Sequence, residues 1–447
     1  MIKYIFNIII CCTIVVCINS IFNSAHAQII STYAGNGILG DSCNGCPATD
    51  AEIGCANVTI DLSGNIFIGA YLDKIKKITT SGIVTTVAGI GGYGYSGDGG
   101  PATDAQILIS GLAVDGTGNI YISDARESCI RKVDTAGIIS TFAGIPYLGG
   151  GGFGGDGGPA TAAYLDYPTG LAADNKGNLF IIDQLNYAVR KINKGIISYF
   201  AGNGSWIRSG DGGTALGAGL GQLLSIAVDN IGNVYVGDLR SVRKIDTFGM
   251  ISTIAGFNTG YPGDGGPATD ASFWGVYGIT VDKWGNIFLA DYDNNLVRRI
   301  GIDGYINTYA GNYSLGPGFS GDGGLAILSQ LNNPSGVTID TNGILYIADG
   351  GNNRIRKVTA TTSVANHNNI SDIQVYPNPT TGQFTINLPQ TTDHKTIIIS
   401  NILGNIIDSR TVITNAPQKF YITDPPGAYF VEVISGSEVY RQQVMIW

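Results

Sequence analysis

"GLAVDGTGNIYISDARESCIRKVDTAGIISTFAG", residues 111–144, holds four short runs, GLAVD, NIYISD, CIRKVD and IISTFAG, each rich in β-branched or aromatic residues. Turn-forming residues bound every run, so the stretch predicts a four-stranded antiparallel meander. It is not unique in the chain. An aromatic or aliphatic residue followed by Ala-Gly recurs at Tyr33, Val87, Phe142, Phe200, Ile254 and Tyr309, in steps of 54, 55, 58, 54 and 55 residues. Units of that length are too long for most solenoid repeats and match the blades of a β-propeller.

Between the first two runs of each unit stands Asp-x-x-Gly: Asp61/Gly64, Asp115/Gly118, Asp174/Gly177, Asp229/Gly232, Asp282/Gly285 and Asp340/Gly343. Asp caps such a turn through its own side chain and Gly takes the left-handed conformation, which assigns these carboxylates to hairpin geometry. Residues 29–35, IISTYAG, read as a lone fourth strand, while the last unit has SGVTID, ILYIAD and RIRKV but no fourth strand. The two ends complete one another. The expected fold is all-β: a six-bladed β-propeller over residues 28–358, closed by its N-terminal strand, which removes two exposed sheet edges. The Gly- and Asp-rich copies of SGDGGPATDA, anchored at Asp41, Asp98, Asp156, Asp211, Asp264 and Asp322, then cross from the outer strand of one blade to the inner strand of the next.

GLAVDGTGNIYISD with IRKVD, and YGITVDKWGNIFLAD with LVRRI, resemble NHL repeats, and the GDGGPAT variant resembles bacterial extracellular NHL propellers. The first repeat departs from the pattern: Ala70 replaces the Asp that ends the second strand, and cysteines enter its crossing loop.

The first 27 residues read as a secretory signal, with Lys3, an apolar run from Ile5 to Ile18, and a small-x-small cleavage site at Ala25-His26-Ala27. Removing it leaves 24 basic against 34 acidic residues, which disfavours nucleic acid as a partner. No later stretch has the roughly 18 uninterrupted apolar residues of a membrane span. An exported chain makes disulfides the default for Cys43, Cys46, Cys55 and Cys129, with the pairing left open. A monomer is the expected form.

Polar, aperiodic residues 359–369 read as a linker, and residues 370–447 as a small β-sandwich. Here VYPNPTTGQFTI, ISNILGNII and PPGAYFVEV resemble the C-terminal sorting domain of type IX secretion cargo. That resemblance implies export across a Bacteroidetes-type outer membrane by the type IX machinery, to the medium or the outer cell surface.

Three groups of residues are candidates for chemistry. Asp124, Asp183, Asp238, Asp291 and Asp349 end the second strands, and Arg131, Arg190, Arg243, Arg298 and Arg356 lie near the start of the third, with Lys76 in the first blade. Their near-sixfold repetition favours structural Asp-to-Arg pairing over a ligand-binding funnel. The crossing-loop aromatics Tyr93, Tyr95, Tyr147, Phe153, Trp206, Tyr261, Tyr313 and Phe319 vary between blades and offer flat stacking surfaces, so they are the candidate contacts for a glycan or protein ligand. Histidine occurs only at positions 26, 367 and 394, outside the propeller, whereas enzymes on NHL-like propellers depend on it. A binding module without catalytic residues or an obligatory cofactor is therefore the preferred reading. The alternative is a hydrolase or lactonase using Asp or Tyr, with calcium, at the central channel.

Overall fold

The computed structural model describes residues 28–447 apart from 71, 93, 147–150, 257–262, 361–373, 379, 389–393, 402–405, 413–415, 424–426, 436–437 and 447. The signal and its cleavage site, and nearly all of the linker, lie outside the described residues. Contacts separate Gln28–Thr359 from a second unit containing Ala360–Trp447. Among the described residues no helix is long and apolar enough to cross a membrane.

The first unit is six sheets in a ring. Blade two shows the plan: Gly111–Val114, Ile120–Asp124, Cys129–Val133 and Ile139–Ala143 pair in sequence order as an antiparallel meander. In the sixth blade, Pro334–Ile339, Leu345–Asp349 and Arg354–Ala360 take Gln28–Ala34 as their fourth, outer strand. The innermost strands of successive blades touch around the whole circle. Glycine permits that approach: a Cβ at Gly278 would stand 2.8 Å from the Cα of Gly336 in the next blade. Every Asp-x-x-Gly turn has the expected form; Asp115, for example, accepts the N–H groups of Thr117 and Asn119, and Gly118 has φ +91°.

The crossing loops do more than cross. Gly99 N–H donates to Ile139 O at 2.8 Å and Ile139 N–H donates to Gly100 O at 3.0 Å, so the GDGG segment lies along the outer strand of the following blade before the chain turns toward the axis. The same pairing joins Gly323 and Gly324 to Ile30 on the closing strand. In blade one it is regular enough, at Cys46–Pro47, to make the sheet five-stranded. Each blade's exposed edge is thereby paired, which blunts edge-to-edge association. The loop must bend sharply at Gly97, with φ +90°, where a Cβ would stand 2.7 Å from that of Ala105. Ala102 and Ala105 then pack with Phe67, Ile75, Leu112 and Ile122 in a core shared by blades one and two.

In the second unit Gln374–Tyr376, Gln383–Asn387 and Gln418–Tyr421 form one sheet, and Lys395–Asn401, Ile406–Val412, Gly427–Ser435 and Glu438–Ile446 form another. Phe384, Ile386 and Phe420 from the first pack with Ile397, Ile399, Val431 and Val433 from the second, which makes the unit a sandwich around one core.

The cysteines divide. Cys43 and Cys46 are bonded, whereas Cys55 and Cys129 are free thiols buried in different blades. Disulfides at those two positions are therefore corrected: the ring places them as core side chains, and burial pushes the Cys55 thiol up to about 12.

Candidate functional site

First strands start, second strands end and crossing loops arrive on one face, so the candidate residues gather there. Alternation along each third strand turns its Arg inward, and all five guanidinium side chains are at most 1% exposed. Arg131 donates to Asp98 Oδ1 at 2.5 Å, to Ser96 O at 3.0 Å and to Gln106 O at 3.4 Å, holding both limbs of the preceding crossing loop. Arg190 does the same with Asp156, Gly154 O and Tyr164 O, Arg243 with Asp211, Ser209 O and Gly219 O, and Arg356 with Asp322, Ser320 O and Gln330 O. Arg298 pairs with Asp264 at 2.5 Å, and Lys76 with Asp41 and Cys43 O. The expected pairing with the strand-end Asp is present at Arg190, Arg298 and Arg356, but the principal partner is the loop Asp, because the strand-end carboxylate also accepts backbone donors.

Those donors are the approach to the inner strand and the turn beyond the second strand. Asp124 accepts Leu108 N–H and Glu127 N–H, Asp183 accepts Asp166 N–H, Asp291 accepts Trp274 N–H, and Asp349 accepts Asn332 N–H. Arg190 approaches Asp183 at 3.1 Å, Arg356 approaches Asp349 at 3.3 Å and Arg298 approaches Asp291 at 3.7 Å. Asp238 bonds within its own turn, to Arg240 N–H and Ser241. Burial pushes Asp124, Asp183 and Asp291 up to about 6, and raises Asp349. For Asp98, partial burial works the same way, but hydrogen bonds from Thr141, Tyr95 and Arg131 prevail and hold it below the usual carboxylate range.

The loop aromatics fall into three sets. Tyr95, Phe153 and Phe319 each stand three residues before the loop Asp and cover the buried guanidinium: Tyr95 lies 4.2 Å from Arg131, Phe153 4.9 Å from Arg190, and Phe319 4.8 Å from Arg356. Tyr95 also donates to Asp98 at 2.9 Å. In blade four the same position is Arg208, which lies 3.6 Å from Asp211. Phe153 and Phe319 remain 54% and 42% exposed on their outer side; Trp206 and Tyr313, outside this pattern, are 69% and 49% exposed. Tyr93, Tyr147 and Tyr261 lie outside the described residues.

A second aromatic group was not anticipated. Trp274 and Tyr277 flank the start of the innermost strand of blade five, and Tyr292 follows its second strand. The rings of Tyr277 and Tyr292 are 4.4 Å apart, and the Arg240 guanidinium lies 5.6 Å from the Trp274 ring. Trp274 is 56% and Tyr277 41% exposed. Tyr277 precedes Gly278, the close approach at the axis, so the cluster rims the channel mouth. Aligning the repeats would have found it, because the residues matching Tyr277 are Ala56, Ser110, Thr169, Leu224 and Ser335.

Between blades one and two a cavity of about 340 Å³ opens on this face, lined by Ala56, Asn57, Gly69, Ala70, Leu72, Asp73, Gly92 and Ile109. It lies at the one strand end where Ala replaces Asp.

Comparison with known proteins agrees with this architecture. Residues 374–447 match the secretion system C-terminal sorting domain, residues 331–358 the NHL repeat, and residues 201–261 the teneurin NHL domain. Teneurin-3 of Danio rerio is 26% identical over 383 residues, covering 76% of this chain and 14% of the relative. Human teneurin-4 is 24% identical over 459 residues, covering 90% of this chain and 16% of the relative. The chain thus spans about a seventh of the length of the curated relatives it matches. Among solved structures, a Bacteroides thetaiotaomicron protein superposes with TM-score 0.54 at 18% identity, covering 76% of this chain and 77% of that one. A Bacteroides ovatus auxiliary nutrient binding protein also gives 0.54, at 14% identity, covering 76% and 78%. These two likenesses speak to fold. Together the sheets, the repeats and the matched segments establish that the chain carries NHL repeats built into a six-bladed β-propeller and ends in a type IX secretion sorting domain, which directs it to the cell surface or the medium.

Proposed function

We propose that the propeller is a binding module, not an enzyme, and that it takes a glycan on its loop-bearing face around Trp274, Tyr277 and Tyr292. The observation that carries this reading is the aromatic cluster at the channel mouth, with Trp274 and Tyr277 exposed and Tyr292 half-buried beside them. Flat rings bind the apolar face of a sugar with little loss of side-chain entropy, while the Tyr hydroxyls, Arg240 and Asp293 supply polar partners at the rim. Trp206 and Tyr313 extend the same kind of surface outward. The Bacteroides ovatus protein of like fold is an auxiliary nutrient binding protein, which is in keeping with a binding role for this face.

The strand-end carboxylates lend little to the hydrolase alternative. Asp124, Asp183, Asp291 and Asp349 are fully buried and committed to backbone donors, so none is presented to a substrate.

A glycan array with the mature chain, followed by titration of the best hit, tests the proposal. Trp274→Ala and Tyr277→Ala should each weaken binding about tenfold, the equivalent of about 1.4 kcal/mol. Retained affinity in both variants, or turnover of the glycan by the wild-type chain, would refute it.

A further inference from the structure

The cavity between blades one and two lies where blade one departs from the strand-end pattern of the other blades. In blades two, three, five and six the strand-end Asp fills the corner beside the second strand and binds the backbone of its own blade. Blade one has Ala70 there, with Ala56, Gly69 and Gly92 around it, so side-chain volume is missing on several sides. At about 30 Å³ per water, 340 Å³ holds on the order of ten waters, which suits one hexose ring.

The lining has two kinds of surface. Leu72 and Ile109 give an apolar wall, while Asn57 and Asp73 give an amide and a carboxylate. Asp73 Oδ1 accepts Ile109 N–H at 3.3 Å, and among the described residues Oδ2 has no protein partner. The Asn57 amide likewise makes no side-chain hydrogen bond there, its nitrogen lying 3.7 Å from where a Cβ on Gly69 would stand. The turn that carries Asp73 is unusual. Leu72 and Asp73 both have positive φ, +60° and +54°, whereas the matching turns in blades two, three, five and six have one such residue each, at Ser128, Tyr187, Asn295 and Asn353. Two adjacent residues of positive φ, as in a type I′ hairpin turn, therefore set this turn apart from its counterparts.

We infer that this cavity is a second ligand site, taking a single sugar residue whose C–H face rests on Leu72 and Ile109 and whose hydroxyls donate to Asp73 and bridge to Asn57. A carboxylate accepts two vicinal hydroxyls, and an amide both donates and accepts, which matches a polyol better than a purely apolar or anionic ligand. The inference is independent of the aromatic cluster, since the two sites share no residue.

Free glucose, galactose, mannose and N-acetylglucosamine, titrated at millimolar concentration against the mature chain and followed by ligand-observed NMR, provide the test. At least one should bind. Ala70→Asp restores the pattern of the other blades and places a carboxylate inside the cavity beside Asp73, so it should lower affinity at least tenfold while leaving the thermal midpoint unchanged or raised; Asp73→Asn should give a comparable loss. Trp274→Ala should leave this monosaccharide binding intact, which separates failure here from failure at the channel mouth. Absence of binding by all four sugars, undiminished binding in Ala70→Asp, or competition by methylammonium in place of sugars would overturn the inference.

Discussion

Arg190 gives the sharpest test of how the crossing loops are held. Its side chain is fully buried and donates to Asp156 at 2.8 and 3.1 Å, to Tyr164 O at 3.1 Å, to Gly154 O at 3.2 Å and to Asp183 at 3.1 Å. Arg190→Met keeps much of the volume and removes every donor. Removing one partner of a buried pair costs about 3–5 kcal/mol, because the remaining groups lose their compensation. Two features place this case toward the lower end: Asp156 is partly exposed and regains water, and Asp183 is already raised to about 6, so it takes up a proton readily. The propeller spans 332 residues from Gln28 to Thr359, so its unfolding entropy near the midpoint is about 0.7 kcal/mol per kelvin. At about 3–4 kcal/mol, the midpoint of its calorimetric transition should therefore fall by about 4–6 °C. Limited proteolysis should cut first between residues 151 and 166, the loop left untethered. A midpoint within about 1 °C of wild type, with that loop still resistant, would show that the guanidinium ring is not what fastens the loops.

Other perturbations address separate parts of the fold. Asp124 is raised to about 6 when folded, against an ordinary carboxylate value near 4, so its contribution is fully present below about pH 4 and is lost as pH rises through about 6. The midpoint of wild type minus that of Asp124→Asn should thus be more positive at pH 5 than at pH 8; an equal or reversed difference refutes the buried-acid account. Reducing the Cys43–Cys46 bond, which spans only three sequence steps, should cost no more than about 2 kcal/mol, or about 3 °C, and a collapse of the propeller on reduction would contradict that small loop. Deleting residues 28–34 leaves Arg354–Ala360 as a bare edge, so the truncated chain should self-associate on size-exclusion chromatography; a stable monomer with an unchanged midpoint would argue against closure by this strand.

The repeating turns and strands were legible because their causes are local. Asp and Gly at fixed spacing make each hairpin without help from distant residues, and a period near 55 residues admits few architectures. Closure was also legible, since counting strands requires no coordinates. The purpose of the crossing loops was only half visible: their glycines announced turns, but the pairing of Gly99 and Gly100 with Ile139 joins segments far apart in sequence. For the same reason the loop Asp was missed as the first partner of each buried Arg, although Asp183, Asp291 and Asp349 do approach Arg190, Arg298 and Arg356 as expected, and the sequence did not show that Tyr95, Phe153 and Phe319, the candidate ligand contacts, also lie over buried arginines.

What the sequence by itself determined is the number of blades, the hairpin chemistry and the closing strand, each encoded in a short window and repeated. The tertiary structure alone decided which aromatics stay exposed and where a cavity opens. Those properties depend on which side chains from neighbouring blades meet, as Arg240 meets Trp274 and Leu72 faces Ile109, and packing across blades is set by the ring and not by any one repeat.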